Sequence, residues 1–216
     1  MKFIDQLKEK AKQNKKTIVL PETSDMRTIE AAGKVLAEGI ANIILVGDKE
    51  DIMSRAGDID LSGASFVDPK NYEKFDEYVD AFVEMRRKKG MTEARAKELL
   101  LTNPLYFGCM MVKQDDADGM VAGAINASAD VLRAALQTLK TAPGTRIVSA
   151  FFLVVVPDCQ YGANGTFVFA DAGLNQSPSA SELADIAEQS AKSFELLVDE
   201  TPVVAMLSHS TKGRAK

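Results

Sequence analysis

Near the end of the chain, Val203-Val-Ala-Met-Leu207 runs directly into Ser208-His-Ser-Thr-Lys-Gly213, which gathers three hydroxyls, one ammonium group and a glycine. An apolar run of this length reads as a buried strand. Loops at the carboxyl end of such a strand hold anions well, because unpaired backbone N–H groups and the dipole of a following helix both favour negative charge. Ser208, Ser210, Thr211, Lys212 and Gly213 are therefore candidate phosphate ligands. The same residues also read as a polar turn with an N-cap, and both readings stand on the residues alone. His209, the only histidine, invites a general-base role, but no neighbouring carboxylate is placed to orient it and it reads as structural. The chain stops at Lys216, where the following helix is expected, so the sequence reads as a piece of a longer protein.

Three further stretches could meet an anion. Gly119-Met-Val-Ala-Gly-Ala124 is small and apolar, then opens into Ile125-Asn-Ala-Ser-Ala-Asp130; small residues let backbone amides approach a ligand, and Asn126 or Ser128 could cap the next helix. Arg133 falls about one turn into that helix, where a guanidinium can grip phosphate oxygens in a fork or pair with Asp130. Arg86-Arg-Lys-Lys89 is basic and ends a helical pattern, which suits either an anion contact or a solvated helix end. Pro21-Glu-Thr-Ser-Asp25 follows an apolar run and precedes Arg27, with Ser24 or Asp25 as capping residues.

The elements that must position these groups follow from periodicity. Phe3, Ile4, Leu7 and Ala11 mark a surface helix. Thr17–Leu20, Ile43–Val46 and Ser65–Val67 read as strands separated by helical patterns through Ile29, Ala32 and Val35 and over 49–56. This β-α-β-α-β order implies a parallel, doubly wound sheet. Helices are expected over 72–87, 92–101 and 104–113, then a strand over 119–124 and a helix over 131–140. No G-x-G-x-x-G follows a strand, so the usual dinucleotide fingerprint is missing. Pro143-Gly144 breaks the pattern and suggests domains of 1–146 and 147–216. In the second, the continuous apolar run Ile147–Val156 is expected to be a central strand buried on both faces, followed by a hairpin-like connection over 158–165 and a strand over 166–170. Ser179 and Glu182 fit a capping box for a helix over 182–197, and Val203 onward is expected to close a further βαβ unit.

Composition narrows the classes. With 46% hydrophobic and 26% charged residues the chain can build a core. A formal net charge of −5, with no basic stripe interleaved with aromatics, disfavours nucleic acid. Cys109 and Cys159 lie far apart without C-x-x-C spacing, so neither a disulfide framework nor a zinc site is expected. No run is long enough to span a membrane and no signal-peptide pattern is present, so a cytoplasmic protein is expected.

Taken in order, Leu20-Pro-Glu-Thr23 with Arg27, Gly119–Gly123 through Ser128, Asp130 and Arg133, Ser149-Ala-Phe-Phe152, Pro157-Asp-Cys159, Thr166-Phe-Val-Phe-Ala-Asp171 and Val204–Gly213 resemble the phosphate acetyltransferases, with the phosphate butyryltransferases as relatives. The resemblance covers the whole chain. It implies two α/β domains of the isocitrate/isopropylmalate dehydrogenase-like type, the second incomplete in this chain, and an active site between them. It implies interconversion of acetyl-CoA and phosphate with acetyl phosphate and CoA by direct transfer in a ternary complex. CoA enters as a substrate; no tightly bound cofactor and no metal are expected, and the full-length protein is expected to be a homodimer. The resemblance implies that Arg86 and Arg133 help hold CoA and that Cys159 lies near its path. It also implies that the Asp base and a Ser-Arg pair lie beyond Lys216, leaving no catalytic residue here and a chain expected to be inactive alone. Arg214 departs from the small residue usual after the Lys-Gly. A phosphate butyryltransferase, or a non-catalytic chain that binds CoA or phosphate, are the other readings; a dehydrogenase of related fold is disfavoured by the lack of an acidic cluster for a metal ion.

Overall fold

The computed structural model describes residues 3–207. Ser208, Ser210, Thr211, Lys212 and Gly213, with His209 and Arg214, lie outside the described residues. The chain divides into two compact units, 1–140 and 141–216.

The first unit is a doubly wound α/β layer built on one parallel sheet. Its strands are β1 (Thr17–Leu20), β2 (Asn42–Val46), β3 (Ser65–Val67) and β4 (Gly119–Met120), in the order β3-β2-β1-β4. All three pairings are parallel, with Val19 beside Ile44 and Met120 in register with Val19. Alternation along β2 explains why helices are needed on both faces. Ile44 and Val46 point into one cluster with α4 (Phe75–Arg86), α5 (Glu93–Thr102), α6 (Pro104–Lys113) and α7 (Ser128–Thr138), whereas Ile43 and Leu45 join Ile29, Ala32 and Ile52 on the other side. The second cluster is closed by α2 (Met26–Glu38) and α3 (Lys49–Ala56), and α1 (Phe3–Gln13) precedes β1. Each fully buried Val, Leu or Ile side chain contributes roughly 1.5–3 kcal/mol, so a two-faced core of this kind carries most of the stability.

Local chemistry sets the helix ends. The Asp25 carboxylate accepts from the Arg27 N–H at the start of α2, and Gly39 ends it in the left-handed region at φ 67°. Asp48 caps α3, and Asn103 caps α6, whose first residue is Pro104. Helix α6 is apolar on nearly every side and is the most buried helix of the unit. The helix expected from residue 72 starts at Phe75, because the Asp68 carboxylate engages the Lys70 N–H and the Asn71 side chain and holds that segment in turns.

The second unit differs from its expectation. The run 147–156 forms only β5 (Phe151–Val155), paired antiparallel with β6 (Thr166–Ala170). It is not buried on both faces: Phe152 and Phe169 are 64% and 58% exposed, since α8 (Ala180–Val198) is the one helix of the unit's described residues and packs against β6. Residues 201–207 carry no strand, so the further βαβ unit expected there is not formed among the described residues. The capping box is present: the Ser179 hydroxyl accepts from the Glu182 N–H, and the Glu182 carboxylate accepts from the Ser179 N–H at 2.8 Å. Ser179→Ala is expected to lower the stability of α8 by about 1 kcal/mol, read as a lower thermal midpoint; an unchanged midpoint would show that the cap is dispensable.

Candidate functional site

The strand-loop-helix crevice of the first unit is built around Glu22, just past the end of β1. Its side chain is 2% exposed. One carboxylate oxygen accepts from the N–H groups of Gly123 and Ala124 at 2.6 and 2.7 Å. The other accepts from the N–H groups of Ile125 and Asn126 at 3.1 and 2.8 Å, and from the Asn126 side-chain amide at 2.7 Å. Burial alone would raise the pKa of this carboxyl, but the backbone and side-chain donors of Asn126 and the amides of Ala124 and Ile125 outweigh it and hold the pKa at about 2. Glu22 is therefore held as an internal anion well below the usual carboxylate range.

This geometry corrects two expectations. The small residues of 119–124 were expected to bring backbone amides to a ligand, yet those of 123–126 are turned onto Glu22. They also end the strand: only Gly119 and Met120 belong to β4, after which Val121 donates to the Val19 carbonyl at 3.0 Å and the chain curls, with Gly123 at φ 110°. A side chain at that φ would be strained. Neither Asn126 nor Ser128 caps the next helix. Ala127 is the N-cap, it has no side-chain hydrogen bond to offer, and Ser128 opens the first turn of α7.

The loop after β1 is fixed on its other side too. The Thr23 hydroxyl donates to the Val46 carbonyl at 2.6 Å, and an Arg55 N–H donates to the Thr23 carbonyl at 2.7 Å. Arg27, at the start of α2, is not a free cation: it chelates the Asp25 carboxylate through Nε and Nη2 at 3.0 and 2.8 Å, and its Nη2 also donates to the Ala124 carbonyl. Beside these groups opens a cavity of about 200 Å³ lined by Glu22, Arg27, Thr28, Val121 and Ala124 among others.

Arg86 and Arg133 come from different elements, the end of α4 and the second turn of α7, and these helices pack together. Tyr106 of α6 lies near both. Burial raises the pKa of its phenol, while the charges of Arg133 and Arg86 act in the opposite direction. The Tyr106 hydroxyl donates to Gln137 at 3.1 Å. Arg133 is paired with Asp130 at 2.6 Å and remains exposed, which is the helix-surface pairing weighed against an anion contact. The Arg86 Nε is buried and has no acceptor among the described residues. Of the basic run that follows, Arg87–Lys89 form a 3₁₀ turn, with Arg87 paired to Glu84.

Cys159 belongs to the β5–β6 connection and is half-buried. Cys109 is buried in α6, where loss of hydration pushes its thiol pKa up, making it a poor nucleophile. Among the described residues no group of three or more His, Cys, Asp and Glu side chains could hold a metal ion, and no described helix is long and apolar enough to cross a membrane. The residue that sequence reasoning left without a role is Glu22. The available signal was a carboxylate directly after a buried strand, with no basic partner next to it in sequence.

The family described as phosphate acetyl/butaryl transferase matches residues 2–216. The phosphate acetyltransferase of Acetivibrio thermocellus is 53% identical over 216 residues, covering 100% of this chain and 65% of that protein. That of Thermoanaerobacterium thermosaccharolyticum is 53% identical over 215 residues, with the same two coverages. Among solved structures, the EutD phosphotransacetylase from Staphylococcus aureus superposes with a TM-score of 0.85 at 38% identity, covering 99% of this chain and 63% of that one. A phosphotransacetylase from Streptococcus pyogenes gives the same TM-score at 37% identity, covering 99% and 64%. The chain thus spans just under two thirds of the length of these relatives. A match along nearly all of the sequence, joined to a matching fold, settles the assignment: the chain belongs to the phosphate acetyl/butaryl transferase family.

Proposed function

We propose that this chain supplies the CoA- and phosphate-binding part of a phosphate acetyltransferase, acting on acetyl-CoA and phosphate to give acetyl phosphate and CoA by direct transfer in a ternary complex. The observation that carries the reading is the buried Arg86 Nε, without an acceptor among the described residues, at the end of α4, which packs against the helix α7 that carries the exposed Arg133. Cations carried on two helices that pack together favour an anion between or beside them. The pyrophosphate and 3′-phosphate of CoA are anions of the kind that guanidinium forks recognise. Arg86, with an Nε that no atom of the described residues satisfies, is the fixed member of the pair. Arg133 is the movable one, exchanging its bond to Asp130 for one to the ligand.

Ser128 and the loop Ser208–Gly213 are proposed phosphate contacts, and Cys159 is proposed to lie near the CoA path without acting as a nucleophile. The acetyl group is favoured over butyryl because the relatives at 53% identity bear the name phosphate acetyltransferase. The proposal extends to a cytoplasmic homodimer that binds CoA as a substrate and not as a resident cofactor, and to a chain that binds CoA here without turning it over.

The test is calorimetric titration of CoA into the purified chain, alongside an assay of phosphate-dependent CoA release from acetyl-CoA. CoA is expected to bind, and Arg133→Ala to weaken binding by about tenfold or more, the loss of one charge-assisted contact. Arg87→Ala is expected to leave binding unchanged, since that residue pairs with Glu84 on the surface. Equal affinity in the Arg133→Ala protein would sink the assignment, and turnover by this chain alone would show that catalytic groups lie within it.

A further inference from the structure

Four consecutive backbone N–H groups, from Gly123 to Asn126, converge with the Asn126 amide on one carboxylate. Curled runs of successive N–H groups are a common backbone device for holding an external anion. In this fold the anion is internal. The arrangement is not needed to join the strands. β1 and β4 already pair through Ile18 with Gly119 and Val19 with Met120, and their other end is clamped where the Asp118 carboxylate accepts from the Thr17 N–H at 2.8 Å. A buried carboxylate is costly unless every lone pair finds a donor, so its presence calls for a task that an apolar contact could not perform.

That task is visible in what the loop leads to. The segment 22–27 holds the loop by both kinds of backbone group, its amides through Glu22 and the Ala124 carbonyl through Arg27. One residue later comes α7, whose first turn has no side-chain cap of its own. The direction of that turn, and so the placing of Ser128 and Arg133, is inherited from the loop. We infer that Glu22 is a positioning residue: its carboxylate fills the 123–126 nest in place of a ligand and so fixes the start of α7, holding Ser128 and Arg133 in register for a phosphate-bearing ligand. Glu22 acts through the loop. The inference rests on the reading of Arg133 as a CoA contact, and its test separates the two.

Glu22→Ala empties the nest but leaves its donors in place, so a small carboxylate from solution can refill it. Formate is the probe, with chloride at equal concentration as the control for ionic strength. Hydrogen exchange at the 123–126 amides is expected to accelerate by about tenfold or more in Glu22→Ala, and CoA affinity to fall by about tenfold. Formate, but not chloride, is expected to restore both. A merely structural carboxylate would give global loosening, which formate would not reverse at the ligand. If Glu22→Ala fails to fold, Glu22→Gln, which keeps the shape and one oxygen, carries the same comparison without rescue.

CoA affinity within about twofold of the parent while 123–126 exchange freely would overturn the inference, as would exchange that does not change. Failure of the unaltered chain to bind CoA would instead overturn the reading of Arg133, and with it the ligand half of the inference. Exchange and its rescue by formate would then still report whether Glu22 holds the loop.

Discussion

Phe107→Ala is expected to destabilise the first unit by about 3–5 kcal/mol, enough to remove a large part of the stability of a domain this size. Phe107 is fully buried in α6. Its ring lies 5.6 Å from those of both Tyr72 and Tyr78, edge-on to the first and tilted to the second. Three aromatic rings meeting in this way pack a volume that backbone shifts cannot close, so truncation leaves a void as well as lost transfer energy. The neighbours cannot collapse freely either. Tyr78 donates its hydroxyl to Asp116 at 2.5 Å, and the same carboxylate is paired with Lys74. Equilibrium urea unfolding followed by circular dichroism measures the loss, with Phe107→Leu expected to cost less than half as much. A cost below about 1 kcal/mol for the alanine variant would show that this cluster is not the anchor of the fold.

The second large effect is on acid stability. Glu22 has its pKa lowered from 4.5 to about 2 in the folded chain. Because the folded value is the lower one, the stabilisation is fully present above pH 4.5 and is lost as pH falls toward 2. At about 1.4 kcal/mol per pH unit, Glu22 alone contributes about 3 kcal/mol across that window. The residue is almost fully enclosed, so solvent screening removes little of this. Asp25 is also held at about 2, first by the Arg27 side chain and then by its backbone N–H, but it sits at the surface and its pairing adds little. In urea midpoints at about pH 7 and about pH 3, the gap between the parent and Glu22→Gln is expected to narrow at the lower pH. A gap that stays constant would mean that the carboxylate is not held by its amides.

Both effects arise where sequence reading was strongest and weakest in turn. The two-faced sheet was legible because Ile43, Ile44, Leu45 and Val46 form an unbroken apolar run with helices on either side, and period-two alternation then divides them between two cores. Helix starts with a side-chain cap, such as Asp25 and Ser179, were legible for a local reason of their own. Residues 147–156 mislead because an apolar run of the same kind does not guarantee burial: β5 has one antiparallel neighbour and an open face among the described residues. The loop 123–126 misled for a deeper reason. Its small residues pointed to amides open to a ligand, and no periodicity could reveal that Glu22 already occupies them. Arg86 and Arg133 show the same boundary, since only packing of α4 against α7 and α6 brings them to Tyr106.

The partners of Glu22 lie 101 to 104 positions further along the chain. The grip is thus not a linear motif and cannot be cut out or grafted as one. A chain that extends only as far as α6 contains Glu22 but none of the four backbone amides that answer its carboxylate. It acquires the amides only when β4 slides in beside β1. A proteolytic nick anywhere between the two halves weakens their union by restoring the entropy that the continuous chain had surrendered.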